Sequence, residues 1–157
     1  MKTLAILVVT FSIFLSTGCS TLPSPEEMKV EAASFELPKL PEMGKAIVYV
    51  VRPASLGALI RFNVFVDDKL PESEMGYTRG SQYIYFNLEP GSHQILSKAE
   101  NWAETNVETS AGDVVFIQQE PSMGIFLARN SLLRLQGYEG RYHVKHLGLG
   151  TIKKVDK

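Results

Sequence analysis

The chain has very few of the residues that would indicate a particular chemistry. It contains a single cysteine, Cys19, in 157 residues, so it cannot form an internal disulfide and its core must be held by packing. Its 16 basic and 17 acidic side chains give a formal net charge of −1 at pH 7. Such a balance offers no excess of positive charge to neutralise phosphates, and we therefore expect no nucleic-acid partner.

Motifs for catalysis and cofactor binding are missing as well. No serine lies in a G-x-S-x-G turn, and the GLG of residues 148–150 lacks the third glycine of a dinucleotide loop. A zinc site needs three or four ligands within tetrahedral reach, whereas the chain offers only the i, i+3 pair His143 and His146 and the distant His93. We expect structural roles for these histidines, with no metal, no cofactor and no enzymatic activity.

One long apolar run is present, and it lies at the N-terminus. Lys2 is followed by LAILVVTFSIFL (Leu4–Leu15) and by the small residues 16–18. A membrane-spanning helix needs about 20 apolar residues, so this run is too short for one. A positive start, an apolar stretch and a small-residue exit are typical of a secretory signal, which we assign to residues 1–18.

Cys19 directly follows these small residues. The sequence STGC resembles the box of bacterial lipoprotein precursors, in which the cysteine thiol takes a diacylglycerol, although Leu15 stands one place further back than is usual. Cys19 is therefore the predicted lipid-attachment site, and membrane lipid is a predicted partner. More than one acyl chain is needed for stable anchoring. Bacterial lipoproteins that are retained in the inner membrane often carry aspartate directly after the cysteine, whereas this chain carries Ser20. The resemblance therefore implies attachment to the periplasmic face of the outer membrane.

Proline spacing divides the rest of the chain. We assign residues 19–44 to a lipidated, proline-rich tether, in which Ser24, Pro25 and Glu27 predict a short capped helix that ends before Pro38. Residues 45–149 form the predicted folded domain. Residues 150–157 are a lysine-rich tail that we expect to fray.

The folded part shows about seven short, alternating apolar segments separated by turn signals. This pattern is typical of a small antiparallel β-sandwich. Residues 126–136 fit a strand or a helix, and residues 140–147 favour a short C-terminal helix. The expected core residues are Val48, Val50, Phe62, Val64, Ile84, Phe86, Val114 and Phe116.

Four segments carry a resemblance to a known family, and they occur in the order GKAIVYVVRP (44–53), FNVFVDDK (62–69), YIYFNLEPGSHQI (83–95) and AGDVVFIQ (111–118). They resemble the bacterial lipoproteins described as domain of unknown function 2846. The middle of the chain is also similar to the small β-sandwich repeat called PEGA. The resemblance implies an envelope lipoprotein with an immunoglobulin-like or PEGA-like sandwich, and it brings no catalytic residues.

The candidate binding patch comes from strand alternation. Tyr83 and Tyr85 point to one side of their strand, and Arg61 and Phe65 point together on another strand. If these strands are neighbours, the four side chains form one patch that could bind an envelope protein. The alternative is that the C-terminal segment covers this face. The expected function is thus non-enzymatic binding or structural support, and the alternative is a carbohydrate- or peptidoglycan-binding module.

Overall fold

A computed structural model describes residues 22–157, so the predicted signal and Cys19 lie outside the described residues. The helices and strands are, in chain order, α1 (Pro25–Ala33), β1 (Ala46–Arg52), β2 (Phe62–Val66), β3 (Glu74–Thr78), β4 (Gln82–Leu88), β5 (Gly91–Lys98), β6 (Trp102–Thr109), β7 (Val114–Met123), β8 (Ala128–Arg134), α2 (Gly137–His146), β9 (Gly148–Leu149) and β10 (Thr151–Ile152). No helix within residues 22–157 is long and apolar enough to cross a membrane.

The strands form two five-stranded sheets that pack face to face. Sheet 1 has the order β8-β7-β1-β4-β9, and sheet 2 has the order β10-β3-β2-β5-β6. The predicted mainly β fold with a C-terminal helix is confirmed. Sheet 2 is antiparallel throughout. Sheet 1 is mixed, because β1 pairs in parallel with β7 and β4 pairs in parallel with β9.

The main core lies between the two sheets. It is built from aliphatic side chains and one phenylalanine, nearly all fully removed from solvent: Val48, Val50, Val64, Val66, Met75, Ile84, Phe86, Leu88, Ile95, Val107, Val115 and Ile117. Burying each such side chain contributes about 1.5–3 kcal/mol. This layer supplies the packing that a chain without an internal disulfide requires.

A second apolar cluster covers the outer face of sheet 1. Helix α2 and the residues around Leu37 lie over Tyr49, Tyr83 and Phe116 in this cluster. The Tyr49 hydroxyl donates to the backbone oxygen of Lys39 over 2.6 Å and accepts from the Lys39 N–H over 3.0 Å. Burial raises the pKa of Tyr49 to about 12, so the phenol stays neutral and holds the incoming chain against the sheet.

This second cluster corrects two predicted core positions. Val114 and Phe116 belong to the outer cluster, whereas Val115 and Ile117 of the same strand face the other sheet. Because β7 is covered on both faces, its apolar residues do not alternate with polar ones. Alternation therefore could not distinguish its two faces.

The N-terminal part of the predicted tether contains the expected helix. Ser24 caps α1 and forms the predicted capping box with Glu27. The helix is more than a spacer, because Met28 and Ala32 are buried and its Glu31 binds His146 of α2 over 2.8 Å. From residue 22 onward, the predicted tether is therefore packed on the domain through α1 and Leu37.

The C-terminal residues 150–157 differ from the predicted frayed tail. Strand β10 pairs with β3, and the Asn87 N–H donates to the backbone oxygen of Val155 over 2.6 Å. The Lys45 ammonium lies 2.9 Å from the Asp156 carboxylate. The tail is ordered because its backbone forms hydrogen bonds with β3 and with Asn87. The composition of the tail does not reveal these bonds.

Candidate functional site

The four residues of the predicted patch do not come together. Tyr83 and Tyr85 lie on β4 in sheet 1, whereas Phe65 lies on β2 in sheet 2 and Arg61 directly precedes that strand. These strands belong to different sheets and are not neighbours. The predicted single patch is therefore wrong, and its two halves have different surroundings.

Tyr83 and Tyr85 pack within the outer cluster of sheet 1. Their ring centroids lie 6.0 Å and 5.6 Å from that of Tyr49, and the cluster also includes Leu135 and Leu147. Tyr83 is buried and Tyr85 is half-buried. This arrangement is the alternative considered from the sequence, in which the C-terminal segment covers the tyrosines.

Arg61 and Phe65 instead belong to the outer face of sheet 2, which no helix covers in residues 22–157. We call this surface the sheet 2 face and define it by its outward side chains: Arg61, Asn63, Phe65, Glu74, Tyr77, Leu96, Lys98, Trp102 and Glu104, with Lys69 and Arg79 at its margin. It combines aromatic rings with cationic groups.

Tyr77 lies at one side of the sheet 2 face between two arginines. The guanidinium of Arg61 is 4.5 Å from the ring centroid, and that of Arg79 is 5.5 Å away. A hydrogen bond from Thr151 and the charges of both arginines lower the pKa of the Tyr77 phenol. Cation–π contacts of this kind are favourable and also hold the arginine side chains over the ring.

Trp102 lies at the other side of the same face. Its ring packs on Phe65 with centroids 5.1 Å apart, and the ammonium groups of Lys69 and Lys98 lie 5.2 Å and 5.0 Å from its centroid. Phe65 is almost fully buried, so it supports Trp102 from below. The half-buried indole is thus a rigid, partly accessible ring with cations on two sides.

The carboxylates of this face are fewer and partly occupied. Glu74 accepts from the Asn63 amide over 2.7 Å and from the Lys153 ammonium over 2.5 Å. Glu104 is exposed on β6 beside Trp102. Because Glu74 is already paired, the cations around Tyr77 and Trp102 give the sheet 2 face a positive character. The face is suited to an acidic or aromatic ligand.

The three histidines are divided between two elements, with His143 and His146 on α2 and His93 on β5. The His93 Nδ1 is 3.0 Å from Asp67, and the His146 Nε2 is 2.8 Å from Glu31. His143 is buried against sheet 1, and burial lowers its pKa. Within the described residues, no group of three His, Cys, Asp or Glu side chains is placed to hold a metal ion.

Tyr77 and Trp102 are functional candidates that the sequence analysis missed. For Trp102, the alternation of residues along its strand is a signal that could have found it. In WAETNVET (102–109) the even positions are Trp, Glu, Asn and Glu, a polar set with one ring, which is typical of a solvent-facing strand side. Tyr77 was hidden because the β2–β3 register shifts between Val64 and Phe65, which interrupts the alternation.

The fold and this face define a small β-sandwich with one helix-covered sheet and one open sheet. The chain belongs to the family described as Protein of unknown function (DUF2846), whose profile matches residues 42–129. It is also similar to a protein of Haemophilus influenzae (strain ATCC 51907 / DSM 11121 / KW20 / Rd) described as uncharacterized. The two are 26% identical over 140 residues, which is 87% of this chain and 79% of that protein.

Proposed function

We propose that this protein is a non-enzymatic, lipid-anchored component of the bacterial envelope, attached through Cys19 and facing the periplasm from the outer membrane. Its binding surface is the sheet 2 face, and its partner is an envelope protein with acidic and aromatic side chains. The observation that carries the proposal is the position of Trp102 and Tyr77 on the open sheet, each between two cationic groups.

The composition of this face supports a protein partner. Trp, Tyr and Arg are the side chains that most often dominate binding energy at protein interfaces. Here the rings are already positioned, Trp102 by Phe65 and Tyr77 by two arginines, so little side-chain freedom is lost on binding. The positive rim complements acidic groups and increases the rate of association.

A carbohydrate- or peptidoglycan-binding module is the second candidate. On β6 the accessible ring of Trp102 lies on the same side as Glu104 and Asn106, both exposed. An aromatic surface beside hydrogen-bonding side chains suits the apolar and polar parts of a sugar ring.

Crosslinking in intact cells, followed by purification of the lipoprotein, tests the proposal. Wild type is expected to incorporate labelled fatty acid and to capture a discrete protein, whereas Cys19→Ser takes up no label. Trp102→Ala should lose the captured protein, while Glu26→Ala, an exposed change on α1 away from sheet 2, should retain it. Capture that persists in Trp102→Ala contradicts the assigned surface. Binding to purified peptidoglycan that depends on Trp102 would favour the second candidate.

A further inference from the structure

Two apolar loops lie together at the end of the sandwich where β1 and β7 finish. The first is PASLGALI (53–60), which follows β1. The second is PSMGIFLA (121–128), which comprises the turn between β7 and β8 with the last residues of β7 and the first of β8. We call the two segments the loop pair. Neither loop contains a charged residue. The polar side chains of the loop pair are those of Ser55 and Ser122.

The large side chains of the loop pair point into solvent. Leu59 is 88% exposed, Met123 82%, Ile125 80% and Phe126 90%. Leu56 and Leu127 are about half exposed beside them. Single exposed apolar residues are common on protein surfaces, whereas a contiguous group such as this, most of which lines one shallow cavity, is typical of an interaction site.

The two loops are packed against each other and against the domain. Gly57 adopts a φ of +60°, and a Cβ placed there would lie 3.0 Å from the Cβ of Ala128. The Gly80 N–H donates to the backbone oxygen of Ala58 over 3.1 Å. The apolar group is therefore one surface formed by both loops.

Glu100 satisfies the backbone at the tip of the second loop. Its carboxylate accepts from the N–H groups of Ile125, Phe126 and Leu127 over 3.0, 2.8 and 2.7 Å. These bonds, with a contribution from Arg129, lower the pKa of Glu100. Three consecutive N–H groups are thus paired within the protein, at the position where the most exposed side chains project.

Arg52 donates hydrogen bonds to carbonyls of the first loop, whereas Glu100 accepts them from N–H groups of the second. Its guanidinium is fully buried and donates to the backbone oxygens of Leu56, Gly57 and Ile60 over 2.7–2.9 Å. Burial lowers the pKa of Arg52 to about 10, so the group remains charged at neutral pH. Three carbonyls of this loop therefore have a charged partner inside the protein.

Three arginines adjoin the loop pair, and the guanidinium groups of two of them, Arg61 and Arg79, lie over Tyr77 of the sheet 2 face. Arg61 directly follows the first loop, Arg129 directly follows the second, and Arg79 precedes Gly80, which binds the first loop. The carboxylate of Glu100 is occupied by backbone amides, and its nearest cation is Arg129 at 4.0 Å. Glu120, which precedes the second loop, lies three residues down the strand from Met123.

We infer that the loop pair is a membrane-contact site that inserts its apolar side chains into the surface of an anionic phospholipid bilayer. An inserted loop must satisfy its backbone groups internally, because the apolar phase offers no water. Glu100 does this for three N–H groups and Arg52 for three carbonyls. Cationic residues near headgroup depth are attracted to anionic lipid, which matches the arginines that adjoin the two loops. This inference goes beyond the proposed function, which assigns the sheet 2 face to a protein.

A bilayer fits this surface better than a protein does. Protein interfaces carry about one hydrogen bond per 100–200 Å² of area, whereas the side chains of the loop pair offer only two serine hydroxyls. Phe126 and Leu59 project from the surface, so a protein would need a matching cavity for them. A fluid acyl layer needs none.

A fluorophore attached at the tip tests the inference. Phe126→Cys and the control Glu104→Cys, exposed on the sheet 2 face, are each labelled with an environment-sensitive dye. The full lipoprotein is then reconstituted in vesicles of phosphatidylethanolamine and phosphatidylglycerol. The label at 126 should shift its emission to the blue and be quenched by spin-labelled lipid, and the label at 104 should be quenched by aqueous iodide. Omitting phosphatidylglycerol should weaken the effect at 126.

Two outcomes overturn the inference. The first is quenching of the label at 126 by iodide in every vesicle. The second is protection of this label only in native membranes, which would indicate a protein partner at the loop pair. Unmodified wild type is the control for the anchor, since an acylated Cys19 takes up no dye. Labelling of wild type counts against the proposed anchor alone, and the loop experiment is then read in a Cys19→Ser background.

Discussion

Gln119 of β7 joins the two sheets by accepting a hydrogen bond from the Thr78 hydroxyl of β3 over 2.5 Å. Its amide nitrogen donates to the Ser97 hydroxyl of β5 over 2.8 Å. All three side chains are buried. A polar group in this position is costly unless it is fully paired, so the network fixes how sheet 1 sits on sheet 2.

Replacing Gln119 should therefore be much more harmful than replacing its neighbour. Gln119→Leu leaves the Thr78 and Ser97 hydroxyls buried without this partner, at about 1–3 kcal/mol each. We expect the free energy of unfolding, measured by urea denaturation, to fall by several kcal/mol. Gln118→Leu, on the opposite side of the strand, is the matched control and should change it little. Equal losses in the two variants would contradict this account.

The sequence was sufficient to predict the fold class, the two-sheet core and the C-terminal helix, because those depend on local patterns. Alternation in FNVFV (62–66) correctly placed Phe62 and Val64 inside. It also placed Tyr83 and Tyr85 on the face opposite Ile84 and Phe86, but alternation alone could not decide between an exposed face and the face covered by α2 that the structure shows. The predicted patch was divided between the two sheets, with Arg61 and Phe65 on the sheet 2 face and the two tyrosines on sheet 1. Which side chains meet depends on strand pairing between distant segments, and local patterns do not reveal that pairing.

Helix α2 packs so closely on sheet 1 that one glycine is required. A Cβ at Gly140 would overlap the ring of Phe116, whereas a Cβ at Gly137 in the same helix meets nothing within 4 Å. Gly140→Ala should lower the free energy of unfolding by about 1–3 kcal/mol through overpacking. Gly137→Ala should be neutral or slightly stabilising, since alanine favours helix. Thermal melts of both variants measure this, and a stabilised Gly140→Ala protein would show that α2 can move away from Phe116.

His143 should make the protein less stable as the pH falls below about 6.5. Burial lowers its pKa from the ordinary 6.5, while Glu139 and Glu120 act against this and His146 adds to it. Between the lowered pKa and 6.5 the unfolded chain binds more protons than the folded one, so stability rises with pH and is lost on acidification. In urea unfolding at a series of pH values, His143→Gln should show a shallower slope over this range. An unchanged slope would assign the dependence to other groups.

Arg52 should hold the first loop of the loop pair in place without being essential to the sandwich core. Its guanidinium donates to three loop carbonyls and lies 3.6 Å from the ring centroid of Phe62. In Arg52→Met the apolar contact with Phe62 is kept and the carbonyl bonds are lost. Hydrogen bonds to a charged group contribute about 1.5–3 kcal/mol each, so local opening of the loop should become much more frequent.

Amide hydrogen exchange measures this opening residue by residue. The N–H of Ile60, bonded to the Gly57 oxygen, and the N–H of Gly80, bonded to the Ala58 oxygen, should exchange faster in Arg52→Met. The N–H of Leu135, bonded to the Phe116 oxygen on the other side of sheet 1, is the internal control and should keep its rate. Arg52→Lys should fall between wild type and Arg52→Met, since an ammonium cannot reproduce the planar fork that reaches three carbonyls. Uniform acceleration at all three amides would mean that Arg52 supports the whole sandwich and has no particular role in the loop.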